Sequence, residues 1–212
     1  MASSKKSVLN QSNLPFFDHV MVFLGPLNVE SLKASNHNNY QFFLEGINGF
    51  SCPYVLSVLE ESQLIAGIGL TTRTAYHFDF LSWLEWILEE REGIHPLLID
   101  QMITACHEAI ANGLMWSNLE LDSKNRTICP LTYAQHLKDR LAQADLAQRY
   151  IVLSIFKEGH RLEIRISVEG KPIIWQANPP DHFRGTSIIQ ELADHVYFDH
   201  NHQTICLVFK ID

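Results

Sequence analysis

The stretch HEAIANGLMWSN, residues 107 to 118, sets a glutamate and an asparagine four residues apart inside an otherwise apolar run. A carboxylate can take up a proton, and a carboxamide both donates and accepts hydrogen bonds, so side by side they suit a polar ligand. The helix that carries them has its apolar face at Ile99, Met102, Ile103, Cys106 and Ile110. At about 100° per residue, Glu108 is rotated about 140° from Ile103, while Asn112 is only about 40° from Glu108. The two therefore stack on one side and face something other than the core. Taken alone, such a pair also suits a solvated helix face, and His107 beside it reads as a bystander.

The elements that must position this pair follow from periodicity. FDFLSWLEWILEE, residues 78 to 90, is an amphipathic helix, and Gly93 with Pro96 ends it and opens the motif helix. Residues 122 to 131 read as loop and 132 to 148 as a polar helix. RYIVLSIF (149 to 156) and RLEIRISV (161 to 168) are strands joined at KEGH, with Leu162, Ile164, Ile166 and Val168 on one face and Glu163, Arg165 and Ser167 on a wet one. A proline-containing loop leads to a helix over 185 to 193, and a hairpin over 196 to 199 and 204 to 211 closes the chain. In the loop, Trp175 suits either packing on a nucleobase or partner, or covering a core edge. Upstream, DHVMVFL (18 to 24) reads as a strand, 28 to 35 as a short helix, 40 to 47 as helix-like and YVLSVL (54 to 59) as a second strand. Gly46, Gly49, Gly67 and Gly69 are too dispersed for a phosphate loop and read as turn markers.

Composition narrows the function classes. The chain has 212 residues, 46% of them hydrophobic, enough for one substantial core or two small domains. With 24 acidic against 16 basic residues and a net charge of −8, and no basic run beyond Lys5-Lys6, nucleic acid is not an expected partner. Nothing approaches a membrane span, and the N-terminal residues lack the apolar run of a signal peptide, so no membrane partner and a cytoplasmic location are expected. Cys52, Cys106, Cys129 and Cys206 have no metal-ligand spacing and read as reduced, buried thiols.

A helix with ExxxN, a variable insert, an antiparallel hairpin ending in glycine, a loop, Arg-Gly opening a helix and a final hairpin: this order resembles the GHKL (histidine kinase, gyrase, MutL-like) ATPase superfamily. The nearest likeness is to anti-sigma-factor serine kinases and histidine-kinase-like ATPase domains. It covers roughly residues 76 to 212 and rests on ACHEAIANGLMWSN (105 to 118), FRGTSIIQELADHVYFD (183 to 199) and TICLVFKI (204 to 211). The resemblance implies a two-layer α/β (α+β) sandwich, a mixed and mostly antiparallel sheet with helices on one face. A small N-terminal α/β segment (1 to 75) would precede the ATPase-like domain (76 to 212), which has its insert at 122 to 149.

The resemblance also assigns roles. Asn112 would complete the shell of Mg²⁺ bridging the phosphates of ATP, and Glu108 would take a proton from an attacking water or serine hydroxyl. Gly170 would match the first glycine motif. Arg184, Gly185 and Thr186 would match the second, where free backbone N–H groups of a helix N-terminus meet phosphate oxygens; an ordinary N-capped helix start reads equally well there. Family members carry Asp-x-Gly at the end of the hairpin, the carboxylate accepting from the adenine amine. Here Val168 stands in the aspartate's place, and Glu169 points to the other face. The activity implied is ATP-binding regulation in bacterial-type signal transduction, as a serine-protein kinase or ATPase. Its partner would be a protein: a sigma factor, an anti-anti-sigma protein or a response-regulator-like protein. The insert would be a docking helix, and a homodimer stays open. The alternative expectation is a degenerate, pseudo-ATPase interaction module. A nucleotide-independent enzyme is a third, for which no arrangement can be assembled from sequence.

Overall fold

One continuous apolar strand and one alternating strand build the centre of the molecule. β4 (Tyr150–Glu158) and β5 (Arg161–Val168) pair antiparallel through a turn at Gly159, whose φ of 57° favours glycine. Around them the computed structural model, which describes residues 19–23, 27–35, 40–121, 130–173, 184–199 and 203–211, forms one seven-stranded sheet in the order β1-β2-β3-β4-β5-β7-β6. β1 (Val20–Phe23), β2 (Phe42–Glu45) and β3 (Leu64–Thr71) run parallel to one another. β3 meets β4 antiparallel, as do the remaining neighbours through β6 (His195–Asp199) and β7 (Thr204–Lys210). Since β3 belongs to the first 75 residues and β4 to the rest, the sheet runs across the expected boundary at 75.

Among the described residues, eight α-helices complete an α/β fold. α1 (Val29–Ser35), α4 (Phe80–Trp86), α5 (Pro96–Asn112) and α8 (Arg184–Leu192) bury Leu32, Trp83, Met102 and Ile189 against one face of the sheet. α2 (Pro53–Leu59) covers the opposite face over β1 to β4 with Tyr54, Val55 and Val58, so the expectation of helices on one face is corrected there. α3 (Thr72–Ala75), α6 (Pro130–Ala142) and α7 (Ala144–Ala147) are peripheral. Among the described residues no helix is long and apolar enough to cross a membrane.

Three local readings are overturned. Residues 54 to 59 form α2 rather than a strand: Pro53 occupies the first helical turn, and Tyr54, Val55 and Val58 share one buried face at helical spacing. The helix-like 40 to 47 contains β2, whose Phe42, Phe43 and Leu44 are all fully buried because this inner strand is covered on both faces. Gly67 and Gly69 mark no turn. They lie within β3, where the ring of Phe42 and the side chain of Leu44 occupy the space a Cβ would need. The second face of β5 is also less wet than expected: Glu163 and Ser167 are buried, with Glu163 accepting from Arg161, Arg165 and Tyr197.

Candidate functional site

α5 starts cleanly. His95 caps it, its Nδ1 accepting from the N–H of Leu97 at 3.3 Å, and Pro96 follows in the first turn. The helix runs to Asn112 and then widens into a π turn over Gly113–Asn118. Ile99, Met102, Cys106 and Ile110 are buried as the spacing requires, Ile103 packs at the margin of the core, His107 is exposed, and Glu108 and Asn112 are half-buried on the side away from the sheet.

That side faces the start of α8. Gly185 comes so close that a Cβ on it would stand 2.5 Å from Glu108 Oε2 and 3.5 Å from Asn112 Nδ2. Residues far apart in sequence thus meet at one place: a carboxylate, a carboxamide, and a helix start whose first N–H groups have no intrahelical acceptor. Thr186 is buried beside them. Arg184 opens α8, and its side chain lies outside the described residues, as do Trp175 and Cys129. The Glu108 carboxylate already occupies the space beside Gly185, so an incoming anion must share it or displace Glu108.

Gly170 is not part of that meeting point. It packs on the backbone of Ser117 and Asn118 at the π turn, so closely that a Cβ would overlap the Ser117 carbonyl. Its N–H donates to Asn118 Oδ1 at 2.9 Å, and its carbonyl accepts from Gln203 Nε2 at 2.8 Å. Asn118, wholly buried, also donates to Thr72 Oγ1 (2.9 Å) and to the Tyr150 carbonyl (3.1 Å). It ties the end of α5 to the ends of β3, β4 and β5. Beyond it Glu120 takes a positive φ of 52° and is ion-paired to Arg149 (2.8 Å) and Lys171 (2.7 Å). Those two cations, Lys171 foremost, hold its carboxyl below the ordinary carboxylate range.

The groups implied for an ATP site fit unevenly. Val168 is fully buried, and its Cγ1 lies against Gly113, 2.9 Å from where a Cβ there would stand. Glu169 is on the opposite face and accepts from the Tyr150 N–H at 2.7 Å. Neither offers a carboxylate to adenine. Asn112 Oδ1, the atom a Mg²⁺ ion would need, accepts from the Trp116 indole N–H at 3.0 Å, and the described residues contain no cluster of three His, Cys, Asp or Glu able to hold a metal. That hydrogen bond uses one of the two lone pairs of Oδ1, and the Glu108 carboxylate lies close to the same helix start. Cys52, Cys106 and Cys206 are buried free thiols, and burial pushes each of them up.

Trp116 and Asn118 escaped the sequence reading. The spacing of four from Asn112 to Trp116 was the available signal, since it stacks the two one turn apart; Asn118 gave none, because its partners lie on distant strands. Compared with known proteins, the chain matches no family model and no curated protein.

Proposed function

We propose that this chain is an ATP-binding regulatory protein of the GHKL type, akin to anti-sigma-factor kinases and histidine-kinase-like ATPase domains, acting on a protein partner in signal transduction. The observation that carries this reading is the approach of Gly185 to Glu108 and Asn112. The two motifs that resemble the superfamily, far apart in the chain, converge where phosphates would sit between α5 and α8. The succession of motif helix, helical insert, hairpin, helix and final hairpin supports it as well. In this reading Glu108 is the proton acceptor, and the N–H groups at Arg184, Gly185 and Thr186 hold phosphate oxygens.

Val168 favours a second reading, a pseudo-ATPase that keeps the fold as an interaction module, because no carboxylate stands where adenine would be recognised. Isothermal titration of the purified chain with ATP and ADP separates the two. Roughly micromolar binding of ATP that falls at least about tenfold in Asn112→Ala supports the first reading. A folded wild-type protein that takes up no nucleotide supports the second.

A further inference from the structure

The sheet ends on β6. Among the described residues β6 pairs only with β7, in consecutive matches from His195↔Val208 to Asp199↔Thr204 without a register shift. A sheet edge offers backbone N–H and C=O groups to another strand, and proteins ordinarily guard it with proline, lysine or a bulge. β6 reads HVYFD and has none of the three. Its two sides alternate: Val196 and Phe198 pack at the margin of the core, while His195, Tyr197 and Asp199 are exposed on the other face.

Symmetry selects what can pair there. When two copies join edge to edge about a two-fold axis, the axis stands perpendicular to the sheet, each face continues into the same face of the second copy, and one residue lies opposite its own counterpart. The whole of this five-residue strand overlaps only if that residue is Tyr197. The same register sets His195 opposite the second copy's Asp199, twice by symmetry, and Val196 opposite Phe198. An imidazole N–H then meets a carboxylate, apolar meets apolar, and the two Tyr197 rings, each anchored by its hydroxyl donating to Glu163 Oε1 at 2.6 Å, stand side by side. Asp199 is also engaged within its own chain, and a carboxylate accepts more than one hydrogen bond. The sequence continues the match outward, since Asp194 precedes the strand and His200 follows it. β1, the other edge, reads VMVF and has no polar side chain to fix a register.

We propose that β6 is a self-recognition edge, to which a second copy of this chain adds its own β6 antiparallel with Tyr197 opposite Tyr197, joining the two sheets into one. This is independent of the nucleotide reading. With one short strand a side the contact lies at the small end of specific interfaces, so the dissociation constant is expected at about 10 to 100 μM.

Sedimentation equilibrium of the full chain from about 1 to 300 μM measures it, for wild type and for exchanges of the facing charges. His195→Asp sets carboxylate against carboxylate at both ends of the contact and is expected to weaken the dimer at least about tenfold. Asp199→His, which sets imidazole against imidazole, should weaken it as well. The double variant His195→Asp/Asp199→His restores the unlike pairs with their sides exchanged, and its dissociation constant should return to within about threefold of wild type. Both side chains are exposed, and an unchanged urea midpoint in dilute solution checks that each variant is folded. A wild type that stays monomeric throughout the range overturns the proposal. A dimer that His195→Asp leaves intact overturns it too, since the contact then lies elsewhere. A double variant no tighter than the single ones also overturns it, because the two residues then do not face each other.

Discussion

Two glycines of the candidate site have opposite surroundings, and the same substitution separates their roles. At Gly170 an added methyl would strike the carbonyl of Ser117, a backbone atom fixed by the π turn. Gly170→Ala is therefore expected to destabilise the chain by on the order of 1 to 3 kcal/mol, read as a lower urea midpoint with an unchanged slope. At Gly185 the added methyl would meet the end of the Glu108 side chain, which can swing aside. Gly185→Ala should change stability by less than about 1 kcal/mol and, on the proposed nucleotide reading, weaken ATP binding about tenfold or more, because the methyl displaces Glu108 and fills the place proposed for phosphate. Equal losses of stability in the two variants would contradict the assignment of one glycine to packing and the other to ligand.

At the scale of elements, the end of α5 depends on Asn118. Removing its side chain leaves the Gly170 N–H without its acceptor, takes a donor from Thr72 and from the Tyr150 carbonyl, and opens a small cavity. Asn118→Ala should lose on the order of 2 to 3 kcal/mol, read as a lower midpoint in urea unfolding. Such junctions were the least legible part of the chain. α4 with the turn that continues it, α5, β5 and α8 show in the sequence because each repeats its period over enough residues to separate 3.6 from 2, and β4 shows as a β-branched apolar run that ends at a hairpin. β2 and α2 were exchanged because four to seven apolar residues carry no period, and their state is set by neighbours: β1 and β3 on either side of β2, and Pro53 at the start of α2. Of the site, Glu108, Asn112 and Gly185 could be read as motifs. The direction of the Asn112 carboxamide could not, because it depends on a π turn that spacing alone does not announce.

Across the whole molecule, the face of the sheet opposite α5 is rich in tyrosine. Burial is the main cause that raises Tyr54, Tyr150 and Tyr197, with Cys52 and Glu169 adding at Tyr54, Glu45 and Glu169 at Tyr150, and the hydrogen bond to Glu163 at Tyr197. Tyr150, whose hydroxyl donates to the Glu45 carbonyl, is pushed up to about 12. A phenol held neutral by the fold favours the folded state at any pH below its unfolded value of about 10, and that contribution is lost as pH rises toward the folded one. The three buried thiols, raised in the same way, begin to lose their contribution near their unfolded value of about 9, so stability should fall gently from about pH 9 and more steeply above about 10, and Tyr150→Phe should lessen the steeper part without removing it. Urea midpoints across that range would show it; a midpoint independent of pH up to 11 would not agree with buried phenols.

The pairing of β3 with β4 has a consequence for how the chain is made. Leu64 is matched to Phe156 and Thr71 to Tyr150, partners about 80 to 90 residues further on. During synthesis β3 must therefore emerge with one edge unmet, and the chain has to extend through α5, α6 and β4 before that edge can close. The waiting strand carries Leu64, Ile65, Ile68 and Leu70, apolar side chains that stand without β4 beside them until that stretch has been made.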